Sequence, residues 1–367
     1  MEESAAINTG TRDEPRVVGK PKILLLTSSR CQGTCYQRAY KLAEALRADG
    51  WSADVIVHNR SEPSSGIRLR SIVSRWHHIR RLVGMIPRYD IIHISADASV
   101  LFYSFVGPVV MLSKFFARKV IVNFAPVNLD DFLARWGRLA NAFMRVADRL
   151  QVDSVYMAAI YSHHHLKADV PTAMFDAAAV PFRAIERLQP KILTDRPLTR
   201  DNNVACLIRA FKFVKEKYPR SELVIAGDGP QRPALEMMIK TEHIYGVTFA
   251  PAESLSEADR LFDEAEVYVN SSSYDNLPES ILRAFAAGLP VVTTDAGAIE
   301  QLVIDRVNGM VVSVNDHVAM AERIIELIEK PELIGQFAKH ARTDVEQFGW
   351  DKVGKTWRHF YRSVMAD

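Results

Sequence analysis

From residue 21 onward, short unbroken apolar runs alternate with longer stretches whose apolar positions recur every three to four residues. Residues 22–27 (Lys-Ile-Leu-Leu-Leu-Thr) have the length and character of a buried strand, and 36–48 follow as a helix with Ala39, Leu42, Ala43 and Leu46 on one face. The strand signal repeats at 53–57, 90–95 and 120–124, with an apolar helix before the last of these, and then come a helix over 132–147 and a short strand at 150–154. The pattern loosens over 181–190, which reads as a linker. A second series starts at 191, with strands at 191–194, 223–226, 247–249 and 267–269 and helices over 204–216 and 231–240. Strands alternating with helices of this length predict parallel sheets, so the fold class is α/β with two doubly wound, Rossmann-like domains. The expected division is a loose tail at 1–20, a first domain at 21–185, a second at 186–345 and a final helical segment at 346–367.

One stretch carries more chemistry than the rest. Residues 266–297 read as strand, small polar loop, helix and strand, with Pro278 suited to a first helical turn and Gly288 and Pro290 closing the helix. A helix that opens on a small-residue loop at the end of a parallel strand presents free amides and a positive dipole end, which suits a phosphate. The first β-loop-α unit lacks Gly-x-Gly-x-x-Gly, which argues against a dinucleotide enzyme.

The run from Asp275 to Gly297, Asp-x-x-Pro-x-x-x-Leu-x-Ala-x-Ala-x-Gly-Leu-Pro-Val-Val-x-Thr-x-Ala-Gly, resembles the donor-sugar loop of the family 4 retaining glycosyltransferases, whose pattern is Glu-x7-Glu. The resemblance covers about 21–367 and is strongest over 191–312. It implies a GT-B fold, with two Rossmann-like domains facing an interdomain cleft and the last helix crossing back to the first domain. The implied activity is retaining, metal-independent transfer from a nucleotide sugar, a UDP- or GDP-sugar, to a glycan or lipid-linked acceptor, with no further cofactor. On that reading Asp275 accepts hydrogen bonds from the donor sugar, Arg196 meets the diphosphate, and Gly33 with Asn276, Leu277, Pro278 and Glu279 surrounds the donor. Four positions depart from the family pattern: Thr34 in place of a second loop glycine, Ala125 in place of an acceptor-side histidine, Asn202 in place of the phosphate-clamp lysine, and Arg283 in place of the ribose-binding glutamate. An arginine cannot accept hydrogen bonds from hydroxyls, so Arg283 is expected either to hold a phosphate or to mark a site that no longer binds nucleotide. The alternative function is therefore a weak or inactive relative that binds a partner through the same cleft.

Composition narrows the field further. Length of 367 residues suits two domains at ~150 residues each. The net charge of +2 implies no nucleic-acid partner, and three cysteines without a signal peptide point to a reducing cytoplasm. Residues 66–88 carry six arginines, His77 and His78 and no acid, interleaved with apolar residues at helical spacing. That segment serves either as a domain helix with a solvated basic face, the simpler reading, or as an interfacial helix on an anionic membrane. His93 reads as a structural strand histidine, and His163, His164 and His165 as a polar surface turn rather than a metal site. Residues 349–356 match a P-loop by spelling, but no strand precedes them and their apolar spacing fits an amphipathic C-terminal helix. Asn270-Ser271-Ser272 is likewise a glycosylation sequon by spelling alone.

Overall fold

The computed structural model describes residues 20–28, 34–58, 80–96, 99–185, 189–250 and 255–366. Among these residues the strands form two six-stranded sheets, parallel throughout. The first contains β1 (Lys22–Ser28), β2 (Ser52–His58), β3 (Ile91–Ala96), β4 (Lys119–Phe124), β5 (Arg149–Gln151) and β6 (Ala168–Asp169) in the order β2-β1-β3-β4-β5-β6. The second contains β7 (Lys191–Thr194), β8 (Glu222–Ile225), β9 (Val247–Phe249), β10 (Val267–Asn270), β11 (Val291–Thr294) and β12 (Met310–Val312) in the order β12-β11-β10-β7-β8-β9. The order reverses between β1 and β3 in one sheet and between β7 and β10 in the other, and such reversals open a crevice at the carboxyl ends of the strands.

Side chains alternate across a strand, and here both faces are buried. Ile23, Leu25, Ile91 and Ile121 pack beneath the helix Thr34–Ala48 and the C-terminal helix Trp350–Ala366, which contributes Val353, Trp357, Phe360, Tyr361 and Val364. Leu24, Leu26, Ile92, Ile94, Val120 and Val122 turn the other way, towards the segment 99–115 and the helices Leu129–Val146 and Val155–His163. The last helix therefore rests on the first sheet, and the P-loop spelling at 349–356 lies almost wholly within it. Asn270 is fully buried at the end of β10, so its sequon is closed to modification.

Several elements differ from the sequence pattern. The helix expected at 132–147 begins at Leu129, a turn earlier, with Asp130 and Asp131 complementing its positive end. The strand expected over 150–154 stops at Gln151, because Ser154 turns away to cap Val155–His163 by accepting a bond from the Met157 amide at 3.2 Å. The apolar helix before β4 is not uniform: residues 102–106 are π-helical and lead into Gly107–Phe115, where Pro108 lacks the amide that a regular ladder needs.

Of the basic segment 66–88, residues 66–79 lie outside the described residues. In its last part Leu82 and Ile86 are buried in the first-domain core, with Arg80 and Arg81 exposed beside them.

Candidate functional site

The carboxyl ends of the two sheets face one another across a cavity of about 460 Å³, within the range of small-ligand sites. Its second-domain wall is set by the β7–β10 pairing, Val267 beside Ile192 and Tyr268 beside Leu193, which carries the segments after both strands to the same place. Arg196 leaves β7 and Asp275 leaves β10, and their side chains meet at 2.7 Å, both largely buried. Burial works against the guanidinium charge, but Asp275, Tyr268 and Asp195 outweigh it and raise the Arg196 pKa above its ordinary value.

Asn202, at the position where the resembling family has a lysine, accounts for much of this geometry. Its side-chain oxygen accepts from Arg196 Nη2 at 3.0 Å and Nε at 3.2 Å, and from Ser272 Oγ at 3.3 Å. Its amide nitrogen donates to the Pro197 carbonyl at 2.7 Å and to Thr199 Oγ1 at 3.0 Å. A lysine there would bring a second cation and no acceptor. Asn202 instead fixes the arginine fork while remaining satisfied within the protein.

Asp275 is similarly surrounded. Its carboxylate accepts from Asn270 Nδ2 at 3.1 Å and from the Asn276 amide at 3.0 Å, and its carbonyl accepts from the Ala298 amide at 3.0 Å. Gly297 closes over this turn with φ of 60°, where any side chain would collide with the Asp275 carbonyl. Gly227 does the same for the opposite member of the pair, since a Cβ there would strike the Arg196 carbonyl. The helix Glu279–Ala287 starts at Pro278, which provides no side-chain cap; the Ile281 amide turns back to the Pro278 carbonyl at 3.1 Å, while the Glu279 and Ser280 amides at the helix start have no side-chain cap.

The first-domain wall is different. Asn123 Nδ2 donates to Gln151 Oε1 at 2.7 Å and Gln151 Nε2 to Asp153 Oδ1 at 3.1 Å, so a chain of neutral amides ends on a carboxylate. Arg38 neutralises that carboxylate at 2.9 Å and also crosses the cleft, donating to the Leu277 carbonyl at 2.8 Å. Lys41 crosses beside it and meets Glu279 at 2.9 Å. Burial pulls the Glu279 pKa up, while Arg38 and Lys41 pull it down more strongly and leave it below its ordinary value. Ser154 Oγ completes the bridge by donating to Asn276 Oδ1 at 2.5 Å. Ala125 also lines the cavity, at the position of the missing acceptor-side histidine.

His93, on the same strand face as Ile91, is buried at the cavity floor, with Nδ1 2.9 Å from the Tyr361 hydroxyl and no partner for Nε2. Burial lowers its pKa to about 4, against smaller opposing effects from Gln151 and Asp153, so the ring is neutral at pH 7. His164 pairs with Asp130 at 2.7 Å, and neither lines the cavity. No group of three or more His, Cys, Asp or Glu gathers in metal-binding proximity among the described residues.

Of the residues singled out from sequence, Arg196, Asp275, Asn276, Leu277, Pro278 and Glu279 all line the cavity. Gly33 lies outside the described residues. Arg283 is not among the lining residues: its guanidinium pairs with Asp259 at 3.4 Å and lies over the Phe262 ring at 5.4 Å, both on the neighbouring helix Leu255–Glu264. Arg38, Lys41, Asn123, Gln151 and Asp153 were not marked by any motif. The available cue was the i, i+3 spacing of Arg38 and Lys41, which places both on one helix face.

Residues 183–344 match the family model described as glycosyl transferases group 1. Among curated relatives, the alpha-monoglucosyldiacylglycerol synthase of Acholeplasma laidlawii is 24% identical over 170 residues, 46% of this chain and 42% of that protein. The alpha-D-kanosaminyltransferase of Streptomyces kanamyceticus is 27% identical over 251 residues, 64% of this chain and 65% of that protein. The match to the first of these thus spans less than half of the relative's length. Among solved structures, Anabaena HepE in complex with UDP and glucose superposes with a TM-score of 0.74 at 16% identity, covering 94% of this chain and all of that one. The sucrose-phosphate synthase of Thermosynechococcus elongatus gives 0.74 at 18% identity, covering 94% and 99%. The fold is GT-B.

Proposed function

We propose that this chain, which carries a glycosyl transferases group 1 domain in a GT-B fold, transfers a sugar from a nucleotide-sugar donor to an acceptor hydroxyl in the interdomain cleft. The observation that carries the reading is the buried Arg196–Asp275 pair at the reversal of strand order in the second sheet, beside the uncapped start of Glu279–Ala287. As the glycosidic bond to the diphosphate breaks, negative charge grows on the phosphate oxygens, and a fixed guanidinium with helix-end amides stabilises it. Asp275 holds the donor sugar through its hydroxyls. Asn123, Gln151 and Asp153 orient the acceptor.

The finer assignments follow the family 4 resemblance. Transfer proceeds with retention, the acceptor oxygen attacking the anomeric carbon from the face the diphosphate leaves and passing its proton to a departing phosphate oxygen. The donor is a UDP- or GDP-hexose, with UDP-glucose the first candidate because HepE was crystallised with UDP and glucose. The acceptor is a glycan or a lipid-linked sugar of the kind used in polysaccharide synthesis. A binding-only role drew its support from the replaced positions, and Asn202 weakens that case by serving the arginine it replaces a lysine beside.

Isothermal titration with UDP, GDP, UDP-glucose and GDP-mannose, followed by slow donor hydrolysis read by NMR, tests the proposal. The expected result is selective binding of one base and release of an α-sugar from an α-linked donor. Absence of binding by every nucleotide would overturn it.

A further inference from the structure

We propose that the outer face formed by 107–115 and Leu129–Val146 docks the first domain on an anionic lipid surface. The two segments run side by side in the same direction. Tyr103 meets Trp136 with ring centroids 6.2 Å apart, Gly107 lies against Phe143, and Lys114 reaches Asp148 at 2.5 Å. Two exposed apolar stripes therefore lie parallel: Met111 and Phe115 on one, Trp136, Leu139 and Val146 on the other. Phe115 is 80% exposed and Trp136, Leu139 and Met111 about half exposed, while the opposite sides of both segments are packed into the first-domain core. Large apolar side chains exposed singly are ordinary, but two adjoining stripes on one face are not.

The charges identify the occupant. Arg135, Arg138 and Arg145 are exposed along the same helix, and Arg80 and Arg81 are exposed on the same domain. The acids of these two segments and their ends are Asp130, Asp131 and Asp148, of which Asp130 pairs with His164 and Asp148 with Lys114 and Lys119. An apolar stripe containing a tryptophan and flanked by arginines has the chemistry of a helix lying in a lipid headgroup region. A second copy fits less well, because a twofold contact would set each arginine row against another. The surface includes none of the residues lining the cleft, so it is independent of the donor chemistry.

The test is co-sedimentation of the full chain with vesicles of phosphatidylglycerol and phosphatidylcholine, compared with phosphatidylcholine alone, at low and high salt. Two variants accompany it: Phe115→Ser with Trp136→Ser and Leu139→Ser, and Arg135→Gln with Arg138→Gln and Arg145→Gln. Binding is expected only to the anionic vesicles. It should fall at least tenfold in each variant and with added salt, while nucleotide affinity stays unchanged and shows that both variants are folded. No vesicle binding by the parent chain, or equal binding by parent and variants, overturns the proposal. So does a parent dimer that the first variant converts to monomer with no change at the vesicle, since the face would then belong to a second copy.

Discussion

The two walls of the cleft share a topology and differ in chemistry. The second-domain wall is ionic, with Arg196 and Asp275 in contact and their remaining polar atoms held by Asn202, Ser280 and Asn270. The first-domain wall is mostly neutral, with Asn123 and Gln151 leading to one carboxylate that Arg38 compensates. A buried ion pair costs several kcal/mol to desolvate per ion and repays it only in one geometry. A neutral amide costs about 1–3 kcal/mol and can exchange a protein partner for a ligand hydroxyl. The rigid wall therefore suits the part of a substrate that does not vary, a diphosphate, and the amide wall suits hydroxyls, whose arrangement varies between sugars.

Breaking the ionic wall should have the largest effect. Arg196→Ala leaves Asp275 buried without its cation, a loss of about 3–5 kcal/mol in stability, and turnover should fall by more than about 100-fold. Thermal unfolding and initial rates measure both. Adding Asp275→Asn should recover much of the stability and none of the rate. If the double variant is no more stable than Arg196→Ala, the pair is not the electrostatic unit described.

The amide wall should respond more mildly and in a different parameter. Asn123→Ala removes about 1 kcal/mol of hydrogen bonding, which predicts a rise of about fivefold in acceptor KM with nucleotide affinity unchanged. Titration of the nucleotide alongside acceptor kinetics separates the two, and an equal loss in both would erase the distinction between the walls.

The smallest effect is expected where the walls touch. Glu279 has a folded-state pKa below the ordinary 4.5, so its pairing with Lys41 and Arg38 stabilises the folded chain above about pH 4.5 and is lost as the pH falls through the depressed value. Unfolding temperatures of the parent and Glu279→Gln should differ at pH 7 and converge on acidification. A constant difference across that range would contradict the assignment.

The sequence exposes most of the strands because they are apolar runs, and the parallel sheets follow from their alternation with helices; the edge strands β6, only Ala168–Asp169, and β12 are not marked in it. It also marks Arg196 and Asp275 one at a time, through a resemblance. Their contact is invisible in it, since only the pairing of β7 with β10 brings the segments together. Asn202 reads as a lost lysine until the five hydrogen bonds of its side chain are seen. The resemblance puts Arg283 in place of a ribose-binding glutamate, yet its guanidinium is engaged by Asp259 and Phe262 on another helix. Arg38 and Lys41 look like an ordinary solvated face because their partners lie far along the chain, Asp153 on the first-domain wall and the Leu277 carbonyl and Glu279 in the other domain.

The C-terminal helix has a mechanical consequence. The chain passes from the first sheet to the second after β6 and returns before Trp350, where Phe348 accepts from the Phe175 amide at 2.9 Å and brings the outward and return passages together. Two neighbouring passages gather the covalent connections between the halves at one place, so any opening of the cleft would pivot about that place. Such an opening would be widest at the edge far from the crossings, where the two walls would part, while the His93–Tyr361 contact at 2.9 Å would stay made because the last helix rests on the first sheet.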